Sequence, residues 1–203
     1  MKASSQTRDE DLWQQARAGD EHAFTQLYRR RQAALYRFAW QMSGSAAVAE
    51  DVTQEVFLAL LGEAERFDPA RGTLAAYLYG IARRQVLRRF EKERAFVAFA
   101  AEDDGQALDE QLIAPHDPLA DLAQRETVEA VRQAVLALPV HYREVLVLCE
   151  LHELSYAEAA GALACAVGTV RSRLARGRAL LSERLRALRP ASGAEVEAKR
   201  YCA

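Results

Sequence analysis

The sequence predicts an all-α protein: two small helical domains joined by an acidic flexible linker, the C-terminal one containing a helix-turn-helix. Three observations carry this. Ala, Leu, Arg and Glu dominate and long β-branched runs are missing, which favours helix over strand. Apolar residues recur at three- and four-residue steps on both sides of a central break, the period of a helix with one buried face. The break itself, 95–124, holds seven acids, no Lys or Arg, and Gly105, Pro115 and Pro118, the composition of an extended connection. The expected domains are therefore 8–95 and 125–188, with a linker at 96–124 and a tail at 189–203. Half of the 203 residues are hydrophobic, enough for packed cores, and the net charge of −2 hides strong local segregation.

The N-terminal elements follow from caps and stripes. Thr7 to Gly19 reads as a short helix, with Thr7 and Glu10 as a capping box. Asp20 is placed to cap the next helix, Glu21 to Met42, whose stripe is Phe24, Leu27, Tyr28, Leu35, Phe38 and Ala39. Arg29, Arg30 and Arg31 fall on its polar side and read as a solvated face. Ser45 caps a third helix running to about Leu61, with Val48, Val52, Val56, Ala59 and Leu60 facing the core. Glu50, Asp51, Gln54 and Glu55 gather opposite, and Phe57, Leu58 and Leu61 lie in or beside that acidic face. An aromatic among carboxylates suits protein docking; equally, Phe57 could pack under a neighbouring helix.

Phe67 to Gly72 is a loop punctuated by Pro69 and Gly72, and Thr73 caps a fourth helix, Leu74 to about Arg94. There Tyr77, Tyr79, Ile81 and Phe90 are interleaved with Arg83, Arg84, Arg88, Arg89, Lys92 and Arg94. Such a face can stack bases and neutralise phosphates; the same tyrosines also suit the core of an amphipathic helix. Beyond the linker, Arg125 to Leu138 is helical, and Pro139 sits in the first turn of a helix from about Val140 to Leu151.

Leu154 to Leu188 is the helix-turn-helix. Ser155 and Glu158 form a capping box for its first helix, and the second opens at Gly168-Thr169. Val170, Leu174, Gly177, Leu181, Leu185 and Leu188 share one face; Thr169, Arg171, Ser172, Ala175 and Arg176 share the opposite one. Arginines beside small side chains are what a major groove accepts, against the plainer reading of a solvated basic face. Cys149, Cys165 and Cys202 show neither CxxC spacing nor a histidine pattern, so no metal and no cofactor is expected. They read as thiols of a reducing cytoplasm, Cys202 on an exposed tail. The N-terminus lacks a signal-peptide core, and no segment approaches the roughly 18 apolar residues of a membrane span. A cytoplasmic protein with no membrane insertion is the expectation.

Three segments, in order, resemble the extracytoplasmic-function (ECF, group IV) sigma factors of bacterial RNA polymerase, members of the sigma-70 family. They are Ala49-Glu50-Asp51-Val52-Thr53-Gln54-Glu55-Val56-Phe57; Leu74-Ala75-Ala76-Tyr77-Leu78-Tyr79-Gly80-Ile81-Ala82-Arg83; and Leu138-Pro139 with Arg143-Glu144-Val145-Leu146, Leu154-Ser155-Tyr156-Ala157-Glu158 and Gly168-Thr169-Val170-Arg171-Ser172-Arg173-Leu174. The resemblance spans about Asp9 to Leu188. It implies an alternative sigma factor that binds core polymerase and reads −35 and −10 promoter elements, with no catalysis of its own. By that resemblance Asp51, Gln54, Glu55, Phe57 and Leu58 would dock on the clamp of the largest polymerase subunit. Phe67, Arg71, Tyr77, Tyr79, Arg83, Arg84 and Arg88 would open and hold the −10 element as single strand. Arg171, Ser172, Ala175 and Arg176 would face the −35 element, with Thr169, Arg173 and Arg178 nearer phosphates. The acidic linker would thread toward the active-site cleft and RNA exit path, and an anti-sigma factor is an implied partner. Arg84 stands where the family usually has Asn, Tyr77 where Trp is common, Ala159 for Ile, and Ala164 for the turn Gly, so a slightly different turn backbone is expected. The alternatives are a stand-alone helix-turn-helix regulator, for which no dimerisation heptad is evident, and a DNA-acting enzyme, for which no catalytic constellation is evident.

Overall fold

The computed structural model describes residues 7–62, 67–100 and 120–188. It is all-helical among the described residues: α1 (Asp9–Arg17), α2 (Glu21–Ser43), α3 (Ala46–Gly62), a 3-10 turn (Pro69–Arg71), α4 (Leu74–Ala100), α5 (Ala120–Leu136), α6 (Val140–Leu146), a π-helical turn (Val147–Leu151), α7 (Tyr156–Leu163) and α8 (Val167–Leu188). The helices start where short polar side chains satisfy their first amides. The Asp20 carboxylate accepts from the His22 and Ala23 amides at 2.9 and 3.1 Å. Ser45 Oγ accepts from Val48 and Thr73 Oγ1 from Ala76. The Ser155–Glu158 capping box is present in full. Gly44 ends α2 in the left-handed region at φ 78°, where a side chain would be strained.

The N-terminal start differs from expectation. Arg8 is the N-cap of α1 and makes no side-chain cap bond. Glu10 instead accepts the Leu74 amide at 2.9 Å, satisfying an end group of α4 from another helix. Arg30 and Arg31 are not a solvated pair either. Both hold the carboxylate of Asp9, which is 5% exposed; the Arg30 contact is 2.8 Å. A buried carboxylate needs such partners. The helices also run past the expected linker bounds, α4 to Ala100 and α5 from Ala120: after Ala95 no Gly or Pro appears before Gly105, and none follows Pro118 within α5. The acids Glu102 to Asp117, the linker's expected path toward the polymerase cleft, and the tail with Cys202 lie outside the described residues.

Two cores form, and they meet. Trp13, Leu27, Phe38, Val52, Leu60 and Leu78 fill the first; Leu138, Val145, Leu148, Ala159, Leu163 and Leu174 fill the second. They belong to one continuous buried cluster. Gly80 of α4 lies against the backbone of Ala162 in α7: a Cβ on Gly80 would stand 3.4 Å from the Ala162 carbonyl oxygen. Arg143 donates to the carbonyls of Met42 (2.5 Å), Leu136 and Leu138 (3.1 Å), so one side chain caps the ends of both α2 and α5. Burial lowers its pKa from the usual guanidinium value. The Arg132 guanidinium stacks 5.1 Å from the centre of Trp40. Where the composition of 95–124 suggests two independent bodies, the described residues form a single one.

Candidate nucleic-acid interface

The helix-turn-helix sets α8 with one face in and one face out. Val170 and Leu174 are buried, and Gly177 lets the helix approach α6, where a Cβ would meet the Tyr142 carbonyl oxygen at 3.4 Å. Leu181 and Leu185, expected as core, are only partly covered; with Trp40, Val128, Val131 and Leu151 they line an apolar groove of about 760 Å³. The turn is made by Ala164 in the left-handed region, φ 51° and ψ 47°. The alanine therefore adopts the backbone a glycine would favour and bears the steric cost, rather than altering the turn.

On the outward face Arg171, Ser172, Ala175 and Arg176 are all exposed. Ser172 Oγ donates back to the Thr169 carbonyl at 3.0 Å, and the Arg171 guanidinium lies 5.9 Å from the Tyr156 ring. Thr169 is half-buried. Arg178 is paired with Glu150 at 2.5 Å, a contact that holds its pKa above the usual value. Arg173 leans inward, 3.6 Å from Glu144.

The α4 surface is different. Arg71, Arg84 and Arg88 are exposed, and Tyr77 is half-buried, its ring 5.5 Å from that of Phe67. Phe67 itself is 7% exposed. Tyr79, predicted as a candidate base-stacking ring, is instead buried, 4% exposed. It sits edge-on to Phe38 with centroids 5.3 Å apart, and its hydroxyl pairs with His152 Nδ1 at 2.8 Å. His152 Nε2 in turn meets Gln41 Oε1, also at 2.8 Å. This chain is consistent with a neutral imidazole that accepts from Tyr79 and donates to Gln41. Burial first, and then the Arg37 charge, push the His152 pKa down to about 4; burial raises that of Tyr79. Arg83 makes a two-point contact with Glu144, Nε to Oε2 at 2.7 Å and Nη2 to Oε1 at 3.2 Å. Tyr79 and Arg83 thus face the C-terminal domain rather than solvent.

The α3 surface is also mixed. Asp51, Gln54 and Leu58 are exposed, Leu58 by 66%. Phe57 is 4% exposed, packed on Tyr28 (4.6 Å) and Phe24 (6.2 Å) of α2. The alternative of Phe57 as a core residue is the one realised, because its ring points between α2 and α3 rather than along the acidic face. Glu55 is bound by Arg89 of α4 at 2.9 and 3.0 Å, with Asp51 3.7 Å from the same guanidinium. Glu144, His152, Gln41 and Arg89 were not singled out for these contacts by sequence reasoning. The one available signal was a carboxylate at 144 embedded beside the apolar run Val145 to Leu148.

Helices throughout the described residues, one with an acidic face, one basic and aromatic, and a helix-turn-helix, define the class of promoter-reading subunits. Comparison with known proteins bears this out. Sigma-70 region 2 matches residues 27–96 and Sigma-70 region 4 matches 128–181. The ECF RNA polymerase sigma factor SigW of Bacillus subtilis is 32% identical over 181 residues, 86% of this chain and 95% of that protein. SigM of Mycobacterium tuberculosis is 34% identical over 171 residues, 83% and 80%. Among solved structures, the sigma factor RpoE with the anti-sigma factor NepR from Bartonella quintana superposes at TM-score 0.63, 26% identity, over 82% of this chain and 98% of that one. CnrH with the cytosolic domain of CnrY gives 0.65 and 27%, over 89% and 99%. The chain belongs to the ECF family of RNA polymerase sigma factors. Its function is that of an alternative sigma factor, directing transcription initiation, and the stand-alone regulator reading falls away.

Proposed function

We propose that this sigma factor reads the −35 element with the outward face of α8 and the melted −10 strand with the Phe67–Thr73 loop and α4, while α3 docks on the polymerase clamp. The observation that carries this best is the bare outward face of α8. The Val170–Leu174–Gly177 seam fixes the helix, and Arg171, Ser172, Ala175 and Arg176 stand clear of it. Arg171 and Arg176 can contact bases, Ala175 lets the backbone approach, and Thr169, Arg173 and Arg178 lie nearer the phosphates. In α4 the exposed Arg71, Arg84 and Arg88 would hold the strand backbone, and Phe67, Tyr77, Tyr79 and Arg83 would receive bases and phosphates once uncovered. Asp51, Gln54, Glu55 and Leu58 form the docking face, with Phe57 supporting it from beneath. The protein does no chemistry itself and needs no cofactor; it works in the cytoplasm. An anti-sigma factor is a partner by analogy with the RpoE–NepR and CnrH–CnrY complexes.

The test is reconstitution with core polymerase. A run-off transcript from a cognate promoter is expected only when chain and core are both present. Asp51→Arg, on an exposed position, should weaken core binding on the order of tenfold or more, by replacing an attractive charge with a repulsive one, without lowering the melting temperature. Core binding at native strength by the folded variant removes α3 from the docking role.

A further inference from the structure

We propose that Glu144 is an intramolecular latch: its carboxylate holds Arg83 in the place a nucleic-acid phosphate would take, keeping the strand-holding face of α4 shut until the two domains part. This rests on the reading of α4 as the strand-holding helix. Glu144 is 1% exposed and bidentate toward Arg83, the geometry with which a guanidinium also grips a phosphate. Its Oε1 stands 3.6 Å from Arg173 of α8 as well. One carboxylate thus neutralises an arginine on each of the two helices proposed to read DNA. A phosphodiester and Glu144 cannot both occupy the fork of Arg83.

Neighbouring contacts converge on the same face. Tyr79 is tied to His152. Thr73 Oγ1, at the N-terminus of α4, meets Glu158 Oε1 of α7 at 3.2 Å. Gly161 and Ala164 of the helix-turn-helix wall off a cavity of about 310 Å³ whose other side carries Arg71, Tyr77 and Arg84. The C-terminal domain therefore covers α4 where a single strand would lie. Any ligand needing that face binds only the open fraction of molecules, so its apparent affinity falls by that fraction. A partly buried ion pair suits a latch, since it fixes one geometry while adding little net stability.

The test uses the full chain with its native cysteines replaced by alanine and a new pair, Gly80→Cys with Ala162→Cys, at the α4–α7 contact. The Cβ position at 80 lies 3.7 Å from the Ala162 Cα, so the two positions adjoin across the α4–α7 contact, and formation of the cross-link is confirmed by mass spectrometry before binding is measured. Binding of a fluorescent single-stranded −10 oligonucleotide is measured with core polymerase, oxidised and then reduced. Oxidation is expected to weaken binding roughly tenfold or more, and reduction to restore it. Equal binding in both states overturns the latch. A reduced chain that binds core but not the oligonucleotide refutes the assignment of α4, and the latch with it. Two further variants guard against a misfolded pair. Gly80→Leu should prevent closure, enlarging the radius of the free chain and, with no polymerase present, raising its oligonucleotide affinity by about tenfold. Glu144→Gln keeps the shape, removes the charge, and should move affinity in the same direction. An unchanged radius and affinity in Gly80→Leu, or an unchanged affinity in Glu144→Gln, contradicts the proposal.

Discussion

Helices α4 and α8 look alike in sequence and differ in the folded chain. Both carry clustered arginines opposite an apolar seam. On α8 the polar face is bare: Arg171, Ser172, Ala175 and Arg176 meet solvent. On α4 the face carrying Tyr79 and Arg83 is covered, the one by Phe38 and His152, the other by Glu144. An arginine-rich face states a polarity, not an exposure. Whether it meets water, DNA or a carboxylate is decided by residues far along the chain, here sixty-one positions away for Arg83 and Glu144.

The largest effects are expected at the apolar seams of the two helices. Leu174→Ala in α8 and Leu78→Ala in α4 each remove a side chain at most 2% exposed, which costs about 2–5 kcal/mol. Because both seams belong to one continuous core, each variant should lower a single melting transition, followed by circular dichroism. Two separate transitions would mean that the domains fold independently and that α4 is covered only loosely. Next in size, Arg176→Ala should cost about 1–3 kcal/mol of −35 discrimination if the side chain is bidentate to a base, with the melting curve unmoved. An unchanged −35 preference returns Arg176 to a phosphate contact or a solvated role.

Acid should act on α4 and spare α8. The folded pKa of His152, about 4, is below its ordinary value of 6.5, so the unfolded or opened chain binds the extra proton first. Its contribution to closure is full above pH 6.5 and is lost as pH falls toward 4. The groups facing the ring are Tyr79 and Gln41, with Arg37 adding a like charge. The radius measured by small-angle scattering should grow across that window, and His152→Gln should flatten the response; an identical slope in the variant assigns it to other groups. Smallest of all, Ala164→Gly should stabilise the chain by about 1 kcal/mol, since it relieves a left-handed alanine at φ 51°. A loss of stability would show that the methyl group packs usefully.

Local features were legible in advance because their causes are local. Asp20, Ser45, Thr73 and Ser155 each cap the helix they precede, through amides two or three residues on. The buried face of α8 at Val170 and Leu174 follows from a 3.6-residue period. What escaped depends on a partner helix. Phe57 on a wheel lies beside the acids of α3, and only the presence of Phe24 and Tyr28 makes it core. Glu10 pairs with Leu74 rather than capping its own helix, and Arg30 and Arg31 bury Asp9. The same limit hid the closure of α4, since the Tyr79–His152–Gln41 chain joins α2, α4 and the segment before α7. Composition in 95–124 announced a connection, and it carries no information on whether the domains it joins will touch.

If α8 is open and α4 stays shut until polymerase separates the domains, core binding must change the distance between them. Donor and acceptor dyes at Ala47 of α3 and Ala179 of α8, both exposed, report the separation of the two domains in the full chain by energy transfer. One short distance is expected in the free protein and a longer one when core polymerase is added. A distance that stays the same on binding core would mean that polymerase does not part the domains.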